Sequence, residues 1–356
     1  MGPKAQGTIS GVVHSFGVRL GAFALLAAGV LSLPGAAAAA SGAQPVAVPA
    51  QGRAADTSRP NRIVGRSTPA SCTSRAVVAA VRAGGIIRFN CGPERVVIHM
   101  AATAKVVNRS RRVVLDGGGL VTLSGDRRRR ILYMNTCDPK QVWTTAHCQN
   151  QPTPELVVQN LTLIEGNSTG QSFDGGGGGA IFARGGRVKI VNATFLRNRC
   201  DATGPDIGGG AVRALSQYRD LPVYVVGSRF SGGVCSNGAA LSSIGVSWVV
   251  LNSRFTGNRA IGRGANPQRA GAAGGGSGGA IYNDGNRFTL RIAGTLMEDN
   301  HANEGGGAIF YVSNDRSGSL VIDRSTLRRN PSDGFRTLPG IFFLGAKRTI
   351  TGSVVR

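Results

Sequence analysis

Acidic residues are scarce in this 356-residue chain: 18 Asp and Glu stand against 41 Lys and Arg, a net charge of +23 with histidine neutral. That imbalance favours anionic partners such as acidic polysaccharide or a cell-envelope polymer. Histidine is scarcer still, and His99, His147 and His301 are far apart in the sequence, without zinc-ligand spacing. There is no Cys-x-x-Cys pair and no glycine-rich loop followed by Lys-Ser or Lys-Thr. These absences remove the sequence marks of a zinc site and a phosphate loop. Glycine is abundant, at 54 residues, but has no three-residue period, which excludes collagen. The calcium-binding nonapeptide repeat is also missing. Helix start and stop signals are missing from most of the chain, which argues against a repeat of paired helices.

Only one long apolar run occurs, Leu20 to Leu33, preceded by Lys4 and Arg19 and followed by Ala38-x-Ala40. It reads as a secretory signal peptide over residues 1–40 and is short for a membrane span. Residues 41–70 are rich in Ala, Pro, Gly, Gln and Ser and read as a disordered linker. Residues 71–356 remain for one elongated domain of an exported protein, secreted, periplasmic or at the cell surface. No transmembrane segment is expected after signal removal, and the expected state is a monomer. Export and the few exposed aromatic candidates, Tyr218, Tyr224 and some Phe, argue against a nucleic-acid partner.

One element is then written five times: Gly178-Gly179-Ala180-Ile181, Gly209-Gly210-Ala211-Val212, Gly238-Ala239-Ala240-Leu241, Gly278-Gly279-Ala280-Ile281 and Gly306-Gly307-Ala308-Ile309. The steps Ala180 to Ala211, Ala211 to Ala240 and Ala280 to Ala308 are nearly equal, and the step Ala240 to Ala280 is longer. A second element follows: Phe195-x-x-Asn198, Phe230-x-x-Gly233, Phe255-x-x-Asn258, Met297-x-x-Asn300 and Leu327-x-x-Asn330. Between them run β-branched, apolar stretches such as Trp248-Val249-Val250-Leu251. Several short strands in each copy of so short and even a repeat describe an all-β, right-handed parallel β-helix solenoid. Phe195, Phe230 and Phe255 are expected to stack inside it. Asn198, Asn258, Asn300 and Asn330 are expected to form an amide ladder at positions needing left-handed backbone. The alanines point into tight corners. The longer step places Arg259 to Ser277 in a mobile loop.

Six cysteines in an exported chain point to three disulfides. Cys200 and Cys235 each lie five residues after the recurrent Phe, one coil apart. Cys137 with Cys148 would close an excursion holding Trp143 and His147, and Cys72 with Cys91 would tie a short helix to the first strand. That helix, over Ser74 to Arg82 and capped by Ser71 or Thr73, would cover the N-terminal end of the solenoid.

The paired Gly-Gly-Ala-Ile and Phe-x-x-Asn elements resemble the repeats of chlamydial polymorphic outer-membrane proteins. Over residues 71–345 the chain is similar, more broadly, to β-helix proteins of the pectin-lyase-like superfamily, with Cys72 to Cys91 and Leu115-Asp116-Gly117-Gly118-Gly119-Leu120 resembling its capping helix and first coil. The resemblance implies an adhesin-like surface protein that binds extracellular glycan or another anionic polymer. The alternative it implies is a polysaccharide lyase or glycoside hydrolase. The chlamydial proteins carry a C-terminal membrane barrel, and the stretch from Pro331 to Arg356 is too short to build one.

Whether the chain is an enzyme stays open at this level. A hydrolase of the superfamily type calls for a Gly-His-Gly turn, which is missing, and a lyase for clustered carboxylates around calcium. Otherwise no cofactor or metal is expected. Scattered acids include Asp201, Asp206, Asp220 and Asp284. The candidate catalytic residues are Glu165 and Asp174, with Asn167 between them, and Glu298, Asp299, His301 and Glu304 around the ladder residue Asn300. A solvated polar turn is the expected identity of both groups. The candidate binding feature is a basic strip of Arg184, Arg187, Lys189, Arg197, Arg213, Arg229 and Arg254, beside the run Arg127 to Arg130.

Overall fold

The computed structural model describes residues 42–356, so the expected signal peptide lies outside the described residues. Among these, three parallel sheets of ten, nine and eight strands wind around one apolar core. The first sheet runs from Arg62–Val64 to Lys347–Thr351, the second from Val96–His99 to Val354–Val355, and the third from Ala104–Lys105 to Ile341–Leu344. A short fourth sheet joins Val234–Cys235, Arg259–Ala260 and His301–Ala302. Each strand pairs with its equivalent one coil away, as in Phe195 with Phe230 and Phe230 with Phe255. The chain is a parallel β-helix.

The repeats supply its interior. Rings of Phe195, Phe230 and Phe255 stack at 4.6 and 4.8 Å between centroids, nearly coplanar, and Met297 and Leu327 continue the column. Full burial of each such side chain contributes roughly 1.5–3 kcal/mol. Ala180, Ala240, Ala280 and Ala308 are fully buried at the corners. Thr73 caps the helix Ser74–Ala83 by accepting from the Ala76 amide, and Val77 and Val81 on that helix close the core. Disulfides join Cys72 to Cys91, Cys137 to Cys148 and Cys200 to Cys235, with Cα atoms 5.6, 5.0 and 4.7 Å apart.

The asparagine column differs from expectation in one respect. Asn198, Asn258, Asn300 and Asn330 do not carry the left-handed backbone; it falls one residue earlier, on Arg197, Gly257, Asp299 and Arg329. The asparagine side chain is needed inside instead. Asn258 Nδ2 donates to Asn300 Oδ1 and Asn300 Nδ2 to Asn330 Oδ1, each at 2.8 Å, in a buried ladder that also satisfies the turn amides. The preceding side chain points to water, so it absorbs the strained backbone at no packing cost.

Two other segments are more ordered than their composition implies. Residues 42–61, part of the segment 41–70 expected as linker, lie across the strand ends of the first sheet, and Arg62–Val64 joins that sheet as its outermost strand. The loop from Arg259 to Ser277 is pinned by antiparallel bridges, Arg263 to Gly274 and Ala265 to Gly275. Its Gly264 amide donates to Glu304 at 2.7 Å, and Arg269 pairs with the same carboxylate.

Candidate functional site on the outer face of the third sheet

The residue two places after each corner alanine points outward from the third sheet: Phe182, Arg213, Ser242, Tyr282 and Phe310. Lys105 and Tyr133 precede them in register and Phe342 follows. Strand alternation makes this a single column on one face. Loops that precede the Gly-Gly-Ala elements fold over its middle, so Phe182, Arg213, Ser242 and Tyr282 are buried although they lie outside the barrel. A pocket opens at each end of the covered stretch.

The first pocket, of about 430 Å³, is lined by Lys105, Arg130, Tyr133, Asp138, Lys140 and Phe173, with Thr103, Gln171 and Ser172. The Cys137–Cys148 excursion supplies Asp138 and Lys140 to its wall. Arg130 is 5% exposed. Its guanidinium lies over the rings of Tyr133 and Phe182 at 5.6 and 5.0 Å and donates to the carbonyls of Gly177 and Gly178. Among the described residues no carboxylate pairs with Arg130, Lys105 or Lys140, and burial pushes the Arg130 guanidinium down to about 10. Asp138 is instead held by Tyr133 Oη at 3.1 Å and Gln141 Nε2 at 2.8 Å. Burial raises the Tyr133 phenol. A buried cation without a directly paired carboxylate is costly, and the charge of Asp201 offsets only part of that cost. Phe173, 58% exposed, adds an apolar wall.

The second pocket, of about 510 Å³, lies further along the column. From Tyr133 in the first to Phe310 in the second is five coil steps, about 24 Å at the usual strand spacing. Phe310, Phe335 and Phe342 make its floor, with Phe310 and Phe342 stacked at 5.2 Å. Asp206 and Asp284 meet there on one amide: Asn266 Nδ2 donates to Asp206 Oδ1 at 2.8 Å, to Asp284 Oδ2 at 2.9 Å and to Tyr282 Oη at 2.7 Å. The two carboxylates are therefore no farther apart than these bonds laid end to end. Burial raises the Asp284 carboxyl above its ordinary range, and the like charge of Asp206 adds to this. Tyr282 Oη donates to Asp284 at 3.0 Å, and burial raises this phenol as well. Arg213 lies fully buried between the pockets, donates to Ser242 Oγ at 2.9 Å, and is pushed down to about 10 by burial.

The residues singled out from sequence fall elsewhere. Glu165 is a turn residue bridging Arg127 and Arg197, and its carboxyl is lowered by these partners. Asp174 sits beside the first pocket, bound to Arg184 at 2.5 Å and to Asn135. Glu298 accepts from Arg254, Arg328 and Arg329, and Asp299 from Arg329. Burial alone would raise Glu298, yet Arg328 and Arg254 hold it below its ordinary value. His301 pairs with Asp333 at 2.8 Å, and Arg269 lowers Glu304 beneath the Arg259–Ser277 loop. Each of these candidate acids is paired with Arg, and only Glu298 and Asp299 share a partner, Arg329. Among the described residues no group of three or more His, Cys, Asp or Glu is placed to hold a metal ion.

The expected basic strip is also dispersed. Arg184 and Arg213 belong to the third sheet, Arg187 and Lys189 to the first, Arg229 and Arg254 to the second, and Arg197 follows a strand of the second. Arg187 lies 3.8 Å from Glu155, and Arg213 is buried. Only Arg229 and Arg254 stack directly on one another. The dispersal follows from the winding: each coil turns a corner between sheets, so basic residues close in sequence, such as Arg184 and Arg187, lie on different sheets. The pair Asp206 and Asp284 was legible only through the register, because the two belong to different coils with whole repeats between them.

Residues 252–284 match the repeat of the Chlamydia polymorphic membrane protein family. The chain carries a repeat of that type. The matched stretch runs from Asn252 through Phe255-x-x-Asn258 and Gly278-Gly279-Ala280-Ile281 to Asp284, so it spans one coil and includes Asn266 and Tyr282. No curated protein and no solved structure matches the chain. Among the described residues no helix is long and apolar enough to cross a membrane.

Proposed function

We propose that this chain is a cell-surface protein whose β-helix binds an acidic extracellular glycan in the pocket around Arg130. The observation that carries the reading is the buried Arg130 guanidinium, held only by two carbonyls and two rings and without a carboxylate partner. An anionic ligand would supply the missing charge, Lys105 and Lys140 would add to it, and Tyr133 and Phe173 would stack on sugar rings. The polymorphic membrane protein repeat supports a surface location. The test is retention on polygalacturonate, alginate and hyaluronan. Retention should fall with salt and drop at least about tenfold in Arg130→Met and Lys105→Ala, while Arg254→Ala on the second sheet leaves it unchanged. Loss in Arg254→Ala with full retention in the other two would move binding to the second sheet and refute this site.

A second reading, hydrolysis of the same polymers, is supported by the meeting of Asp206 and Asp284 over an aromatic floor. Paired carboxylates, one with a raised pKa, are what glycoside hydrolysis requires. Release of reducing ends that disappears in Asp284→Asn would establish it; no release from any of the three polymers would leave the binding reading alone.

A further inference from the structure

The segment 42–61 is held in an unusual way. Asn252 Oδ1 accepts from the Val46 amide at 2.8 Å, and Asn252 Nδ2 donates to the Val46 carbonyl at 2.9 Å. Gln159 repeats the arrangement on Ala55, with bonds of 2.8 and 3.0 Å. Each side-chain amide thus grips both polar groups of one residue's backbone, a contact indifferent to the side chain carried there. Selection comes from two other points. Val46 sits in an apolar seat of Val191, Val226, Leu251 and Ala293, and Thr57 Oγ1 donates to Asp116 Oδ2 at 2.6 Å.

Asp116, Gln159, Val191, Val226, Leu251 and Ala293 end successive strands of the first sheet in register. They form a groove about 24 Å long that runs across the coils, at roughly 4.8 Å per step. The segment lying in it belongs to no sheet ladder before Arg62 and contains no cysteine; the side-chain clamps, Val46 with Val48 packed on the same cluster, and the Gln44 amide donating to the Arg324 carbonyl at 3.0 Å hold it. Its sequence, Gly42-Ala43-Gln44-Pro45-Val46-Ala47-Val48-Pro49, has little tendency to fold on its own. Every contact it makes within the chain is available, identical, on another molecule, which is the condition for exchange of an arm between copies.

We infer that the strand ends of the first sheet form a polypeptide-binding groove that reads the main chain of an extended, uncharged segment, and that the arm 42–57 of a second copy occupies it in exchange for the chain's own. Surface copies would thereby be linked arm to groove. The test uses the full mature chain with paired cysteines. Val46→Cys together with Leu251→Cys should close an intrachain disulfide, because both positions share one apolar cluster. Val46→Cys chains incubated at high concentration with Leu251→Cys chains should give a covalent heterodimer on oxidation. Its yield should fall at least about tenfold when the Leu251→Cys partner also carries Asn252→Ala and Gln159→Ala. Intrachain closure in the double variant with no heterodimer in the mixture would overturn exchange. Failure of the double variant to close would overturn the groove itself. Glycan retention of the same variants, unchanged in either case, keeps this inference separate from the Arg130 pocket.

Discussion

The asparagine ladder makes a quantitative claim on stability, and Asn300→Ala tests it. Asn300 Oδ1 accepts from the Asn258 main-chain amide at 3.1 Å and from Asn258 Nδ2 at 2.8 Å, and Asn300 Nδ2 donates to Phe255 O, Glu298 O and Asn330 Oδ1. All of this is buried. Truncation leaves two buried donors without that acceptor, and each such orphan costs about 1–3 kcal/mol, giving about 2–6 kcal/mol in all. Asn198, in the same column but separated from the ladder by Gly233, accepts only from the Gly166 amide and donates to Leu163 O, so Asn198→Ala orphans one donor and should cost about half as much. Urea unfolding followed by tryptophan fluorescence reads the difference, because Trp248 is 1% exposed and lies in the coil of Asn258, next to that of Asn300. Solenoids unfold in neighbouring blocks, so a probe close to the lesion is the right one. An Asn300→Ala cost below about 1 kcal/mol, or one smaller than that of Asn198→Ala, would refute the cooperative ladder and reduce the asparagines to turn formers.

Replacing Cys200 and Cys235 by Ser should cost about 4 kcal/mol in the chain-entropy account for a separation of 35 residues, read from the same urea curves; an unchanged midpoint would refute it. Acidification should destabilise the fold through Glu298 and Glu304. Their carboxyls are lowered in the native state, so their contribution is complete above the ordinary value of 4.5 and is lost as pH falls through the lower native values; Glu298→Gln should flatten the fall of melting temperature in that window. Asp284 acts in the opposite sense. Its native value is raised, so the native state takes up that proton first and gains stability relative to the unfolded chain as pH falls towards 3.8; Asp284→Asn should remove this gain, and a titration of Asp284 by NMR at or below the ordinary value would contradict the burial assigned to it.

Much of this architecture was legible in the chain. The repeated Phe and Asn, with Cys200 and Cys235 at the same offset in consecutive coils, set the register, and register alone brings cysteines within disulfide reach. The capping helix was legible from Thr73 and from Gly84, whose φ of 72° ends it. The candidate site was not. Its column, two residues after each corner alanine, was visible as Phe182, Tyr282 and Phe310, but periodicity cannot say that loops from the neighbouring turn bury the outside of one sheet and not of another. Composition also misjudged residues 42–61. Their order comes from Asn252 and Gln159 in distant coils, and a Pro- and Ala-rich segment carries no mark of a partner so far along the chain.

By itself, then, the sequence determined the winding: an even, short period, alternating apolar strands and paired cysteines admit one stacked architecture, because each repeat can bury its apolar face only against the next. Tertiary structure decided everything on the outside. Whether Arg130 is a solvated charge or a buried one, whether Glu298 is a catalyst or the centre of an arginine cluster, and whether Asp206 meets Asp284 depends on loops crossing between coils. Burial and proximity of charge are properties of that three-dimensional arrangement, and they set what each side chain can do.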